Sequence, residues 1–309
     1  MNEKKISMLC EAIDKSVRND CIEDISVSFS GGIDSTLVAL LAKKYKNVEL
    51  IAVGVKNSHD LKAAKSASRI INLKVKVKEV SPDEFISEGL ILQKKLSLSQ
   101  FEVGFMLPFW IAAKNATNPI LMCGQGADEL FGGYARFREL NKKINLKKEV
   151  SDLLEIIPKR ETKIAEIFGL KLSCPYLSTN VIEAANAFSQ EEHIGEIGKE
   201  QLRNAAIKLG LNEELALRKK KAAQYGSGSQ KILKDAMKYE VNFNLNFESK
   251  AVAESIKKAT DPENEGWVES SIDNHILKAS VKARTMGSLR EAAEDFMACV
   301  SVAENILKK

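Results

Sequence analysis

The stretch that decides the fold is Ser28-Phe29-Ser30-Gly31-Gly32-Ile33-Asp34-Ser35-Thr36. Residues 25–27 before it form a β-rich segment, and the apolar run at 37–43 after it predicts a helix. A glycine turn therefore joins a strand to a helix N-terminus, where free backbone N–H groups and the helix dipole favour an anion. The alternative is a plain turn in which a serine or aspartate caps the helix.

The turn also carries hydroxyl groups and one acidic residue. Ser30, Ser35 and Thr36 supply hydrogen-bond donors for a phosphate. The carboxylate of Asp34 would repel phosphates, so we expect a divalent cation between the two. No Gly-Lys-Ser/Thr follows at the required spacing, which excludes a Walker A loop.

The bulk composition is that of an ordinary soluble globular protein. The length of 309 residues predicts two domains. The chain is 44% hydrophobic and 28% charged. Its net charge of +4 does not alone indicate nucleic-acid binding. The five cysteines include no CxxC pair, which favours reduced thiols in a cytoplasmic protein over a zinc or iron–sulfur site. No apolar run is long enough to span a bilayer, so no membrane partner is expected.

Strand-like segments alternate with helical ones in the first half of the chain. The strand-like segments are 25–27, 48–55, 75–80 and 119–123. This alternation predicts an α/β fold with a doubly wound, mostly parallel sheet, whose ligands bind beyond the carboxyl ends of the strands.

A second glycine-rich stretch follows the fourth strand: Cys123-Gly124-Gln125-Gly126-Ala127-Asp128-Glu129-Leu130-Phe131-Gly132-Gly133-Tyr134. Because both stretches follow strands of one predicted parallel sheet, we expect them to lie at the same edge of that sheet. Asp34 and Asp128 therefore suffice to hold Mg²⁺, which uses one or two carboxylates together with phosphate oxygens and water. The alternative is a helix start with acidic residues near the dipole.

The last part of the chain has a different pattern. Residues 241–247 alternate apolar and polar, a helix follows Ser249, and Asp261-Pro262-Glu263-Asn264 is predicted to break it. Two strands joined by a turn at Asp273-Asn274 come next, and a long helix ends the chain. The order strand, helix, strand, strand, helix predicts a small α+β domain over residues 239–309.

The two glycine-rich stretches resemble those of the PP-loop ATP pyrophosphatase superfamily, and specifically the synthetase domain of asparagine synthetase and its relatives, including β-lactam synthetase. The resemblance covers about residues 5–238 and predicts a first domain at 1–238, with an adenine nucleotide alpha hydrolase-like fold and a helical region after the sheet. Four further segments are similar to motifs of that family: Ala52-Val53-Gly54-Val55, Cys174-Pro175-Tyr176-Leu177, Lys199 to Ala206, and Arg218-Lys219-Lys220 with Gly226-Ser227-Gly228.

The resemblance implies a ligase that cleaves ATP to AMP and pyrophosphate, adenylates a small-molecule carboxylate and joins it to ammonia or an amine. It implies ATP and Mg²⁺ as cofactors. The roles it assigns are the following: Phe29, Ser30, Gly31, Gly32, Asp34, Ser35 and Thr36 cradle the triphosphate; Val53, Cys123 and Gly124 line the adenosine; Asp34 and Asp128 hold the metal; Lys220, Gln125 and Glu129 serve catalysis. The alternative for Lys220 is a solvated basic face.

Two departures from the family pattern matter. The family often has Glu where this chain has Gln125, and Gln cannot take a proton, so another base serves or the acceptor differs. The first glycine turn begins near residue 30, so we expect no glutaminase domain before it. We therefore expect nitrogen from solution, from a separate glutaminase subunit, or a different nucleophile.

Residues 239–309 resemble the small dimerising subunit of the KEOPS tRNA-modification complex. The resemblance implies a homodimer formed through this domain and contacts with tRNA phosphates, for which the basic candidates are Lys278, Lys282, Arg284 and Arg290. The alternative is a plain dimerisation or capping domain with solvated lysines. Two other functions stay open: a tRNA-modifying enzyme that adenylates a base or an attached group, and a non-catalytic ATP-binding scaffold, which Gln125 would permit.

Overall fold

The computed structural model describes residues 2–138, 145–218, 227–229, 232, 239–264, 267–283 and 286–307. The chain divides into two compact units, one of Met1–Ser81 with Leu107–Gly228 and one of Pro82–Met106 with Ser229–Lys309. The inclusion of residues 82–106 in the second unit was not foreseen from sequence. The predicted boundary after residue 238 stays a prediction, since residues 233–238 lie outside the described part.

A five-stranded parallel sheet forms the centre of the first unit. Its strands are β1 Ile25–Ser28, β2 Val48–Gly54, β3 Val75–Glu79, β4 Ile120–Met122 and β5 Lys171–Ser173. The strand order is β3-β2-β1-β4-β5, so the order reverses between β1 and β4. The predicted doubly wound fold is confirmed, and the crevice at this reversal is where such sheets bind ligands.

Helices occur in both units. Their bounds are α1 Asn2–Asp20, α2 Ile33–Ala42, α3 His59–Ile70, α4 Pro82–Leu96, α5 Gln100–Lys114, α6 Ala127–Leu130, α7 Leu146–Ile156, α8 Glu161–Ile167, α9 Thr179–Ala185, α10 Gln190–Ile194, α11 Glu200–Lys208, α12 Glu213–Leu217, α13 Lys250–Asn264 and α14 Met286–Leu307. Short 3₁₀ turns lie at Ala135–Arg138, Ile157–Lys159 and Pro175–Leu177. Among the described residues no single helix is both long and apolar enough to cross a bilayer, although the bent pair Pro82–Leu96 and Phe101–Lys114 meets both criteria when taken together.

One hydrophobic core holds β1 and α2 on either side of the first glycine turn. Ile25 and Val27 of β1 and Leu37 and Leu41 of α2 are fully buried in the same cluster. The apolar stripe of α1 packs into this cluster too. Because both flanking elements are fixed by packing, the turn between them has little freedom.

The second unit contains a three-stranded antiparallel sheet in the order β6-β8-β7. Its strands are β6 Tyr239–Asn246, β7 Val268–Asp273 and β8 Ile276–Ala283. Ile256 of α13, Phe296 of α14 and Leu277 of β8 share one core on a single face of this sheet. The predicted order of strand, helix, strand, strand and helix is confirmed.

One prediction of local structure was wrong, and one strand was missed. The helix that follows Ser249 does not break at Asp261-Pro262-Glu263-Asn264, because α13 continues to Asn264. Proline has a helix-compatible φ, and near the end of a helix the hydrogen bond that it removes and the strain that its ring imposes affect few following residues. The fifth strand, β5, was missed, since three residues are too few to show an alternating pattern.

Candidate active site

The turn between β1 and α2, residues 29–36, forms one side of the site and is called loop one. Phe29 donates its backbone N–H to the Ile51 carbonyl at 2.8 Å, so this residue extends β1 and its ring lies in the core. Gly31 has φ of +70°, and a Cβ there would lie 2.6 Å from backbone atoms of Ala63. Only glycine makes this turn so close to α3.

Helix α2 begins at loop one. Gly32 is its cap residue, and a glycine has no side chain that could accept hydrogen bonds from the first N–H groups of the helix. The hydroxyls of Ser35 and Thr36 donate to the Gly32 carbonyl at 3.3 and 2.7 Å, and Ser30 Oγ lies 3.3 Å from Ser35 Oγ. The positive end of the α2 dipole therefore lies at loop one, and phosphate binding there stays a prediction.

The two predicted metal ligands meet at one cationic side chain. Lys199 Nζ lies 2.7 Å from Asp34 Oδ1 and 2.7 Å from Asp128 Oδ1. Lys199 and Asp34 are almost completely buried, whereas the Asp128 side chain is 29% exposed. Asp34 and Asp128 are thus brought together, as predicted, around a position that favours positive charge.

Lys199 was missed as a site residue because its partners are remote in sequence. It precedes α11 with φ of +62°, and its backbone N–H donates to the Phe131 carbonyl at 3.1 Å. Sequence reasoning recognised it only as the first residue of a family helix. Its contact with Asp34 spans 165 positions, a distance over which no periodic pattern extends.

The two aspartates fit the donor set that Mg²⁺ requires. Magnesium takes one or two carboxylates and completes its shell with phosphate oxygens and water. Asp34 and Asp128 converge from two loops on one point next to the N-terminus of α2, where phosphates are expected to bind. The predicted metal site is therefore compatible with the geometry.

The second glycine-rich stretch, Cys123 to Tyr134, is called loop two and lies against loop one. A Cβ on Gly124 would lie 2.6 Å from Asp34 Cβ, so a larger residue would separate the two loops. Gly126 has φ of +88° and faces the side chain of Leu177. Glycine is thus required for both contacts of loop two.

The segment Cys174-Pro175-Tyr176-Leu177 holds both loops in place. Tyr176 is fully buried and donates its hydroxyl to the Asp34 carbonyl at 3.1 Å, while Leu177 packs on Gly126. Cys174 and Leu177 also line a cavity of about 500 Å³. The sequence indicated this segment by family resemblance, but not its bracing contacts.

Glu129, a predicted catalytic residue, binds a tyrosine of its own loop. Tyr134 Oη donates to Glu129 Oε1 at 2.6 Å, and both side chains are largely withdrawn from water. Burial raises the pKa of the Glu129 carboxyl, opposed by the Tyr134 hydrogen bond and reinforced by Asp128. The carboxyl is therefore easier to protonate than an exposed one.

Gln125 contacts a buried ion pair. Its Nε2 donates to Glu161 Oε1 at 3.1 Å. Arg160 donates to the same carboxylate through Nη2 at 2.7 Å and through Nε at 3.1 Å. Glu161 and Arg160 were not among the predicted site residues, because they lie outside both glycine-rich stretches.

The residues predicted to line adenosine follow the two strands beside β1. Val53 lies near the end of β2 and Cys123 directly follows β4; both are buried. Cys123 Sγ lies 3.6 Å from Cys174 Sγ, and both cysteines are free thiols. The strand order therefore places Val53 and Cys123 on either side of loop one.

The basic segment that begins at Arg218 is described only in part. Arg218 donates through Nη2 to the Gly31 carbonyl, and burial lowers the pKa of its guanidinium. Lys220, a predicted catalytic residue, lies outside the described residues, so its role stays a prediction.

Three of the four basic candidates of the second unit are paired with acidic side chains. Lys278 lies 2.6 Å from Asp273, Lys282 lies 3.1 Å from Glu269, and Arg290 lies 2.8 Å from Glu294. Arg284, the fourth candidate, is outside the described part of the chain. The predicted dimer and tRNA contacts stay predictions.

Known proteins that are similar to this chain belong to the family that its two glycine-rich stretches resemble. The family model "Asparagine synthase" matches residues 8–160. A Methanocaldococcus jannaschii protein that bears the name of a glutamine-hydrolyzing asparagine synthetase is 30% identical over 77% of this chain and 53% of its own length. An asparagine synthetase domain-containing protein of Drosophila melanogaster is 24% identical over 72% of this chain and 50% of its own length.

The chain thus spans about half the length of these two curated relatives. Among solved structures, the NMN synthetase of Francisella tularensis is 16% identical, with 71% of this chain and 98% of that chain covered and a TM-score of 0.30. These sequence matches point to the same family that the residues of loops one and two resemble. The chain carries an asparagine synthase domain over residues 8–160.

Proposed function

We propose that this chain is an ATP-dependent ligase that joins a carboxylate to ammonia or an amine and releases AMP and pyrophosphate. The observation that carries the proposal is the meeting of Asp34, Asp128 and Lys199 beside the uncapped start of α2. The asparagine synthase domain supports the same reaction type. Aspartate is the first candidate for the carboxylate.

Loop one is proposed to bind the triphosphate. Its backbone N–H groups and the α2 dipole attract the phosphates, and Gly31 and Gly32 permit a close approach. Asp34 and Asp128 would hold Mg²⁺, which neutralises phosphate charge beside the two carboxylates when it is bound. The buried ammonium group of Lys199 lies next to the same two carboxylates.

The chemistry proceeds in two steps. A carboxylate oxygen of the acid attacks the α-phosphorus, the bond to the β-phosphate oxygen breaks, and pyrophosphate leaves with the electron pair. The nitrogen then attacks the acyl carbon, the C–N bond forms, AMP departs and the extra proton passes to solvent. Negative charge grows on pyrophosphate in the first step, where the preorganised ammonium of Lys199 stabilises it.

The RNA-modifying alternative rests only on the resemblance of residues 239–309, and the scaffold alternative only on Gln125. One experiment separates these from the proposed ligase. Purified protein is given Mg-ATP, ammonium chloride and a panel of carboxylic acids that begins with aspartate, and pyrophosphate is measured for each acid. We expect one acid to give pyrophosphate and AMP in equal amounts; background release with every acid would contradict the proposal.

A further inference from the structure

Two cysteine side chains meet at the carboxyl ends of neighbouring strands. Cys123 directly follows β4 and Cys174 directly follows β5, and their sulfur atoms lie 3.6 Å apart. Met122 and Ser173 form the last pair in the register of these parallel strands, and Cys123 donates its backbone N–H to the Ser173 carbonyl at 3.0 Å. The two cysteines are therefore the next opposed pair along the strands.

The spacing of this pair suits a disulfide. Neighbouring strands lie about 4.8 Å apart, and a disulfide joins residues whose Cα atoms are between about 4.4 and 6.8 Å apart. Both cysteines are free thiols, and their sulfur atoms would have to approach from 3.6 Å to about 2 Å. Side-chain rotation together with a small shift of one backbone segment can supply this approach.

The Cys174 thiol is the more accessible of the two. Cys174 is half-buried and lines the cavity of about 500 Å³, whereas only 6% of Cys123 is exposed. A small molecule in the cavity therefore reaches Cys174 first. The hydrogen bond to Cys123 and, after it, burial raise the pKa of Cys174, so its thiolate fraction is small and its reactions are slow.

We propose that Cys123 and Cys174 are a redox modification site, at which a small-molecule disulfide of the glutathione type forms a reversible disulfide that inactivates the candidate active site. The Cys174 thiolate attacks the oxidant, a mixed disulfide forms, and one glutathione leaves. Cys123 then attacks Cys174 Sγ, the second glutathione leaves, and the two protons pass to the departing thiolates. Two protein thiols are oxidised, and one glutathione disulfide is reduced to two glutathione molecules.

The disulfide acts on the site through the four-residue segment that begins at Cys174. Tyr176 of this segment donates to the Asp34 carbonyl at 3.1 Å. Leu177 packs so closely on loop two that a Cβ on Gly126 would lie 2.3 Å from Leu177 Cδ2. A shift of Cys174 toward its partner therefore moves Tyr176 or Leu177 relative to loops one and two. A misplacement of about 1 Å can cost roughly 100-fold in rate.

The test places the purified protein in buffers with graded ratios of reduced to oxidised glutathione. The intact mass and the proteolytic peptides are measured by mass spectrometry, and pyrophosphate release is measured with the acid that is active in the panel above. We expect the mass to fall by two hydrogen atoms, a peptide pair to be linked through Cys123 and Cys174, and pyrophosphate release to fall by about tenfold or more. Dithiothreitol should reverse all three changes.

Two serine variants are the controls, and each is compared with its own untreated sample so that any change in basal rate cancels. Cys174→Ser should show neither the cross-link nor the loss of activity, because it lacks the accessible thiol and leaves Cys123 buried. Cys299→Ser, which removes a half-buried thiol of α14, should respond to oxidised glutathione like the wild type.

Three results would overturn the proposal. One is a stable glutathione adduct on Cys174 without a cross-link, and another is a Cys174→Ser variant that loses activity as the wild type does. The third is a cross-linked protein that releases pyrophosphate at the untreated rate.

A readout that does not need turnover separates this proposal from the proposed function. ATP binding is measured by calorimetry on the reduced and the cross-linked protein, since Cys123 also belongs to the residues predicted to line adenosine. We expect weaker binding after oxidation that dithiothreitol restores, and equal binding would contradict the proposed effect on the site. A protein that gives no pyrophosphate with any acid would refute the ligase, while the cross-link and ATP binding would still decide the redox site.

Discussion

At the scale of single residues, Asp34 carries the most specific prediction. It contacts Lys199, its backbone carbonyl receives Tyr176, and its side chain is buried. Asp34→Asn removes a proposed metal ligand, and we expect pyrophosphate release to fall by roughly 100-fold or more. Asp152→Asn, on the exposed surface of α7, is the control and should leave the rate unchanged. Release that survives the change at Asp34 would place the cation elsewhere.

Glu129 gives a prediction about stability and pH. Burial raises the pKa of its carboxyl above the ordinary value of 4.5, so the folded state disfavours the charged form. A raised folded-state pKa adds stability at low pH that is lost as the pH rises through that pKa. Glu129→Gln carries no charge and still accepts from Tyr134, so it avoids this loss.

We therefore expect Glu129→Gln to be more stable than the wild type at pH 8, with the difference disappearing as the pH falls below the ordinary carboxyl pKa. Urea unfolding of both proteins across this range provides the measurement. Glu155→Gln, an exposed change on α7, controls for general charge effects. A wild type that gains stability over the variant as the pH rises would contradict a raised pKa of Glu129.

The sequence indicated some site residues because each belongs to a compact motif. Asp34 and Asp128 lie in glycine-rich stretches whose position at strand ends follows from the alternation of strands and helices. Lys199 and Glu161 could not be predicted in this way. Their roles depend on contacts with residues far away in the chain, such as that of Lys199 with Asp34 across 165 positions.

At the scale of elements, loop one depends on the packing of Gly31 against α3. Gly31 and Gly169 have nearly equal φ values of +70° and +71°, but a Cβ at Gly31 would lie 2.6 Å from Ala63 whereas one at Gly169 has nothing within 4 Å. Alanine substitutions at these two glycines therefore separate the cost of backbone strain from the cost of steric overlap.

We expect Gly169→Ala to lower the free energy of unfolding by about 1 kcal/mol, which is the strain of a left-handed alanine. Gly31→Ala should cost roughly 2 kcal/mol more, because loop one has to move away from α3. Chemical denaturation of both variants measures the difference. Equal losses would mean that α3 yields to the added methyl group, and that loop one is less constrained than the contact implies.

The elements themselves were predictable to different degrees. The helix α2 and the strand β1 have strong local patterns of apolar residues, and the apolar stripe of α1 has helical spacing. All three elements were therefore predicted from the sequence. β5 has three residues and gave no periodic signal. The continuation of α13 through Pro262 was missed because a proline near a helix end is compatible with either a break or a last turn.

At the scale of the whole molecule, charge bears on the tRNA alternative. Lys278, Lys282 and Arg290 each face a carboxylate, and the net charge of the chain is only +4. RNA binding through phosphates needs lysines and arginines that release counterions on contact. We expect little tRNA retention at low salt, measured by gel shift with purified tRNA. Tight binding that weakens steeply with added salt would instead favour the RNA-modifying alternative.

The central claim concerns which bond of ATP is cut. The measurement is made with ATP labelled at the α-phosphorus and a second sample labelled at the γ-phosphorus, incubated with the protein, Mg²⁺, ammonium chloride and the acid panel. We expect labelled AMP from the first sample and labelled pyrophosphate from the second, because loop one and the pair Asp34 and Asp128 are proposed to stabilise a leaving pyrophosphate. Labelled ADP together with labelled orthophosphate would contradict it.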